Sequence, residues 1–172
     1  ELLYKEDQLL KALGSFKSGD KGQLTIGVTP FRSLYLMPDI IKKIRNKFPG
    51  VKVTLHEEGI AQLRKEATEG KYDFAIVNLP VDSSILDATP LEPDTLVLAV
   101  PNNMTELLPN SSQKSALDFE DAKNLPFVVL SPQQELRQLF DSLCISADFS
   151  PNIAAEVVGV TTAWAMARAG VG

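Results

Sequence analysis

The chain has 172 residues, 44% apolar and 23% charged, ordinary proportions for a globular protein that argue against disorder and fibrous repeats. That length suits one compact domain or two small lobes. Seventeen basic against 22 acidic side chains leave a net charge of −5, which speaks against a surface that grips nucleic acid directly, and no stretch approaches the roughly 18 consecutive apolar residues of a membrane helix.

In chain order, residues 1–17 read as a helix, because Leu2, Leu9, Leu13 and Phe16 recur at near-helical spacing between charged positions. Gly14, Ser15, Ser18, Gly19 and Gly22 then interrupt it, so 14–22 reads as a hinge. Residues 23–28 alternate as a strand. Leu34, Met37, Ile40, Ile41, Ile44 and Phe48 form a helical stripe. Val51, Val53 and Leu55 alternate with Lys52, Thr54 and His56 as a half-buried strand. A short helix over 60–69 meets Gly70, and 74–77 is a continuous apolar run of the kind buried on both faces. After a polar loop over 101–115, Asp118 can cap a short helix through Lys123. Residues 127–130 read as a buried strand, and Leu136, Leu139, Phe140 and Leu143 as a helical stripe. A strand over 153–157 and a helix over 161–169 complete the series. Strands alternating with helices point to βαβ units and a parallel sheet.

The order repeats. Thr29-Pro30 and Ser131-Pro132 each follow a strand, a proline follows each long helix at Pro49 and Pro151, and Gly70 and Gly170 each close a short helix. The matching positions lie 102, 102 and 100 residues apart. Two similar α/β lobes follow, and a crevice between such lobes is where small molecules bind. The second copy lacks the strand that follows Gly70 in the first, so the second lobe is expected to be incomplete at its C-terminus. The start at Glu1 rather than at a methionine also suggests a fragment of something longer, and no signal peptide is visible.

These residues resemble the effector-binding domain of LysR-type transcriptional regulators. The resemblance is carried by Gly22-Gln23-Leu24-Thr25-Ile26-Gly27, the Leu36-Met37-Pro38 step inside the first helix, and Phe48-Pro49-Gly50-Val51. Glu69-Gly70-Lys71-Tyr72-Asp73-Phe74-Ala75-Ile76 and Ala167-Arg168-Ala169-Gly170-Val171-Gly172 complete it. It implies an α/β fold of two Rossmann-like lobes of the periplasmic-binding-protein type II kind, each a mainly parallel sheet flanked by helices, with a ligand cleft between them. The expected organisation is the end of a linker helix and a hinge over 1–21, a first lobe over 22–98 and a second over 99–172. The resemblance also implies a homodimer or homotetramer in which 34–47 and 51–56 of one subunit face the 135–146 helix of another. Ile40, Ile41 and Ile44 crowd the first helix with more apolar surface than one buried face needs, which fits an interface. DNA contact would come only through an N-terminal winged helix-turn-helix outside this sequence.

The chemistry is that of binding rather than catalysis. The single histidine, His56, lies on the polar side of a strand with no second ligand near it, so no metal or other cofactor is expected. Glu57-Glu58 reads as a solvated strand end and Cys144 as buried filler. No nucleophile elbow or phosphate loop occurs. One cysteine rules out an intrachain disulfide and favours a reducing, cytoplasmic setting. In that light Asn103-Met104-Thr105 and Asn110-Ser111-Ser112 are chance matches to a glycosylation pattern. Three helices begin with small polar residues directly after strands, at Thr29-Pro30-Phe31-Arg32-Ser33, Ser131-Pro132-Gln133-Gln134 and Gly159-Val160-Thr161-Thr162, and helix N-termini attract anions.

The resemblance puts Thr29, Phe31, Arg32 and Ser33 on the first cleft wall, with Ile60 as a less polar corner and Asn78 near the crossover between lobes. Ser131, Gln133 and Thr161 would face them. Arg32 is the one formal positive charge of this set, so a small anion, a carboxylate above all, is the expected effector. The alternative readings are a free-standing solute-binding protein serving a transporter, and a small α/β enzyme, against which the missing catalytic groups count.

Overall fold

The computed structural model describes residues 22–91, 93–108 and 118–172. The expected leading helix over 1–17, and the hinge apart from Gly22, lie outside them. The chain divides into two compact units, Glu1–Thr95 and Leu96–Gly172.

In the first unit, strand β1 (Gly22–Val28) is followed by helices α1 (Pro30–Tyr35) and α2 (Met37–Lys47), strand β2 (Val51–Glu57), helix α3 (Ile60–Thr68) and the short strand β3 (Phe74–Ala75). The strands are all parallel, in the order β2-β1-β3. Val28 pairs with Glu57 and Gly27 with Ala75, so the three strands end along one edge. The alternation of β1 drives Leu24, Ile26 and Val28 into a core shared with Met37, Ile40, Ile44 and Ile76. Each such fully buried side chain contributes about 1.5–3 kcal/mol.

Three expectations change here. The Leu36-Met37-Pro38 step does not sit inside one helix but divides two, α1 from α2. Pro38 has no N–H to continue the ladder, and its ring clashes with the carbonyl four residues back. Ile40 and Ile44 are each 1% exposed in the unit's own core, so of the three isoleucines only the half-buried Ile41 remains toward the outside. The run over 74–77 is an edge strand among the described residues, not one buried on both faces: Phe74, Ala75 and Val77 are half-buried and only Ile76 is buried.

In the second unit, 3-10 turns at Asn102–Leu107 and Phe119–Ala122 precede strand β4 (Pro126–Leu130), helix α4 (Glu135–Ser146), strand β5 (Asn152–Val157) and helix α5 (Val160–Arg168). The turn after Asp118 is tightened by that residue's own N–H, which donates to the Asp121 carboxylate at 3.3 Å. β4 and β5 pair in parallel with Leu130 opposite Val157. Leu108, Ala122, Leu125, Phe127 and Val129 form the core, closed by Phe119, Phe140 and Phe149. The Phe119 and Phe140 rings meet edge-on with centroids 6.1 Å apart, and Phe127 and Phe140 are tilted at 5.1 Å, arrangements that suit aromatic quadrupoles. Cys144 is buried as expected. Leu136 and Leu139 are exposed, because a sheet two strands wide among the described residues covers only part of α4's stripe.

The repeat is visible in the backbone itself. Gly70 and Gly170 adopt φ of 69° and 78°, and past each the next N–H reaches back five residues, Lys71 to the Glu66 carbonyl at 3.0 Å and Val171 to the Met166 carbonyl at 3.1 Å. That is the Schellman closure, which requires the left-handed conformation glycine adopts without strain.

Candidate ligand-binding site

Parallel strands deliver their following loops to one edge, and α/β sheets bind ligands outside the carboxyl ends of their strands. In the first unit that edge carries Thr29 after β1, Ile60 after β2 and Asn78 just beyond β3. Pro30 pre-sets the first turn of α1 and holds Arg32 one turn from the strand end. The Arg32 guanidinium donates through Nη2 to Asn78 Oδ1 at 2.7 Å and to Asp94 Oδ2 at 3.3 Å. Two residues singled out from sequence, Arg32 and Asn78, are thus in direct contact.

The remaining first-unit candidates take different places. Thr29 caps α1 in extended conformation without a side-chain cap bond. Phe31 is exposed, its ring against Tyr35 at 4.8 Å. Ser33 is buried, and its N–H already donates to the Thr29 carbonyl at 2.8 Å, so it offers no unpaired helix-end donor. Ile60 is the half-buried first residue of α3.

Two residues of this edge escaped the sequence reading. Arg64 donates from Nη2 to the Asn78 carbonyl at 2.8 Å, so Asn78 receives one guanidinium on its side chain and another on its backbone. Arg64 lies one turn after Ile60 on α3, and i,i+4 spacing on that helix was the available signal. Asp94 has no local signal, since only the path of the chain brings it back to Arg32.

α3 is anchored from its other end. The Glu66 carboxylate accepts from the Tyr72 hydroxyl, from Gln62 Nε2 at 2.6 Å and from Lys71 Nζ at 3.0 Å. The Tyr72 bond, with those of Lys71 and Gln62, holds the Glu66 carboxyl at about 2. Burial, followed by the Glu66 bond, pushes the Tyr72 hydroxyl up to about 12. This lock fixes the helix that carries Ile60 and Arg64.

In the second unit the equivalent edge follows β4 and β5. Ser131 spends both its N–H, at 2.8 Å, and its hydroxyl, at 3.3 Å, on the Val157 carbonyl. Gln133 is exposed one residue before the cap of α4, which is Gln134. Thr161 is exposed in the first turn of α5. Beneath them Arg137, with its side chain 11% exposed, donates to the Leu130 carbonyl and Asp141 at 2.8 Å each, and to Glu156 at 3.2 Å. It ties the end of β4 to α4 and β5. Among the described residues no group of His, Cys, Asp and Glu could hold a metal ion, and no helix is long and apolar enough to cross a membrane. His56 and the Glu57-Glu58 pair are exposed at the end of β2.

The family model of the LysR substrate binding domain matches residues 17–172. The HTH-type transcriptional regulator YcgK of Bacillus subtilis is 25% identical over 185 residues, covering 100% of this chain and 57% of its own length. The chain therefore spans little more than half of that relative. HinK, a LysR family transcriptional regulator from Pseudomonas aeruginosa, superposes with a TM-score of 0.69 at 22% identity, covering 96% of this chain and 57% of that one. The effector binding domain of QuiR, solved in complex with shikimate, gives 0.70 at 18% identity over 88% of this chain and 71% of that one. The shared fold is that of LysR effector-binding domains, α/β with parallel sheets, as the sequence led one to expect.

Proposed function

Since the chain belongs to the LysR substrate-binding domain family, we propose that it is the effector-sensing part of a transcription regulator, and that its effector is a small organic anion, a carboxylate above all. The observation that carries this reading is Arg32, held against Asn78 at the carboxyl edge of β1 with Arg64 on the same asparagine. A guanidinium fork takes a carboxylate through two parallel charge-assisted bonds. Thr29 and Ile60 follow β1 and β2 at the same edge, Phe31 and Ser33 lie next to Arg32 in α1, and Ser131, Gln133 and Thr161 are the corresponding positions of the second unit. The QuiR domain holds shikimate, itself a carboxylic acid. Binding switches transcription through an N-terminal DNA-binding domain outside this sequence, in a cytoplasmic homodimer or homotetramer. The exposed Leu136, Leu139 and Ile145 of α4 supply apolar surface for that assembly. The curated relatives are regulators, which favours this reading over a transporter's solute-binding protein or an enzyme.

The test is a thermal-shift panel of shikimate, benzoate, sulfate, phosphate, amino acids and neutral sugars. A ligand at 100 times its dissociation constant stabilises the native state by about 2.7 kcal/mol, a rise in Tm of roughly 5–10 °C for a chain of this size. Carboxylate hits lost in Arg32→Ala support the proposal. A panel in which only neutral sugars raise Tm sinks it.

A further inference from the structure

Arg32 already holds a carboxylate. Asp94 reaches it from the last residues of the first unit, next to the junction at Thr95 and Leu96. The two anchors of Arg32 differ in kind. Asn78 Oδ1 accepts at 2.7 Å and belongs to the half-buried end of the β3 segment. The Asp94 carboxylate sits at 3.3 Å, longer than the roughly 2.7–2.9 Å of a close charge-assisted bond. Its side chain is 66% exposed against 23% for Arg32. A single nitrogen, Nη2, serves both acceptors, so the fork is not engaged in the two-bond mode. Asn78 therefore keeps the guanidinium in place whichever anion faces it, while Asp94 is the longer and more exposed of its two contacts.

We propose that Asp94 is a built-in stand-in for the effector's carboxylate, and that an effector binds by displacing it from Arg32. This deepens the preceding reading and rests on it. The exchange is carboxylate for carboxylate, with Arg32 charged throughout. It has two consequences. Neutral analogues are rejected, because removing Asp94 without replacing it leaves the guanidinium without its anion. Affinity for true effectors is lowered by the strength of the internal pair. An exposed pair of this kind is worth about 0.2–1 kcal/mol, so the affinity penalty is at most roughly fivefold.

Isothermal titration of the chain with shikimate and with benzoate, using benzamide as the neutral control, tests this. The proteins are wild type, Asp94→Asn, Arg32→Ala, the double variant, and Asp87→Asn, which removes another exposed acid of the same segment. The expected result is roughly two- to fivefold tighter carboxylate binding by Asp94→Asn, a much smaller change in Asp87→Asn, no benzamide binding, and no carboxylate binding once Arg32 is gone. Equal affinity in wild type and Asp94→Asn, with loss in Arg32→Ala, overturns the exchange and leaves the anion site standing. An equal gain in Asp87→Asn reduces the effect to net charge and likewise overturns it. Carboxylate binding that survives Arg32→Ala, or no binding by either wild type or Asp94→Asn, overturns the site and the exchange together.

Discussion

Replacing Gly27 by alanine tests how the first unit is packed. Gly27 is buried in β1, and a Cβ built there lies 2.7 Å from both Cδ2 and Cε2 of Tyr72 and 3.0 Å from Cδ2 of Leu63. Carbon atoms pack best at about 3.5–4.0 Å, so the overlap with the ring approaches 1 Å. The ring cannot simply slide away, because its hydroxyl is bonded to the Glu66 carboxylate and His56 lies on it at 5.7 Å between centroids. Overpacking of this size costs about 1–3 kcal/mol. The alanine recovers about 0.4–1 kcal/mol by restricting the unfolded chain, leaving a net loss of up to about 2.6 kcal/mol, centred on about 1.3 kcal/mol. Amide hydrogen exchange of β1 reads this unit directly, and exchange should quicken by a factor of roughly ten. In a Tyr72→Ala background the same substitution should cost almost nothing, because the obstructing ring is gone. Undiminished protection of β1 in Gly27→Ala, or an equal penalty in both backgrounds, would refute the reasoning.

Other outcomes follow from the same interactions. The Glu66 carboxyl, lowered from 4.5 to about 2, stabilises the folded state fully above 4.5. That contribution disappears as pH falls toward 2, so urea midpoints should drop across this window in wild type and more shallowly in Glu66→Gln. Tyr72, raised from 10 to about 12, contributes below 10 and loses that contribution as pH rises through 12, which an ultraviolet titration of its phenolate will show. Arg137→Met should destabilise the second unit by about 1.5–3 kcal/mol, since it removes charge-assisted bonds and strands the Leu130 carbonyl; Trp164, in α5 of the same unit, provides the fluorescence signal. The Cys144 thiol, 2% exposed and pushed up chiefly by burial, should resist thiol reagents until denaturant is added. Rapid modification of the native chain would contradict its place in the core.

What the amino-acid order determined by itself is everything governed by short-range periodicity. The alternation of Leu24, Ile26 and Val28, the [Thr/Ser]-Pro turns and the glycines at 70 and 170 act through neighbours a few residues away. Strands, turns and closures therefore appear where the pattern puts them, and the two-fold order was legible from spacing alone. The family was legible too, because its motifs keep their order along most of the chain. Tertiary structure decided what depends on which surfaces meet. Ile40 and Ile44 read as surplus apolar surface fit for an interface until the sheet covered them, whereas Leu136 and Leu139, read only as part of a helical stripe, stay exposed because a narrow sheet leaves them uncovered. Ser33 read as a helix-end donor until its N–H was seen to close the first turn of α1. Arg32 could be named from its place after a strand. Asn78 could be named too, but not its contact with Arg32, and Asp94 not at all, because they lie 46 and 62 residues away and only the parallel crossovers and the chain's return past β3 bring their oxygens to one guanidinium.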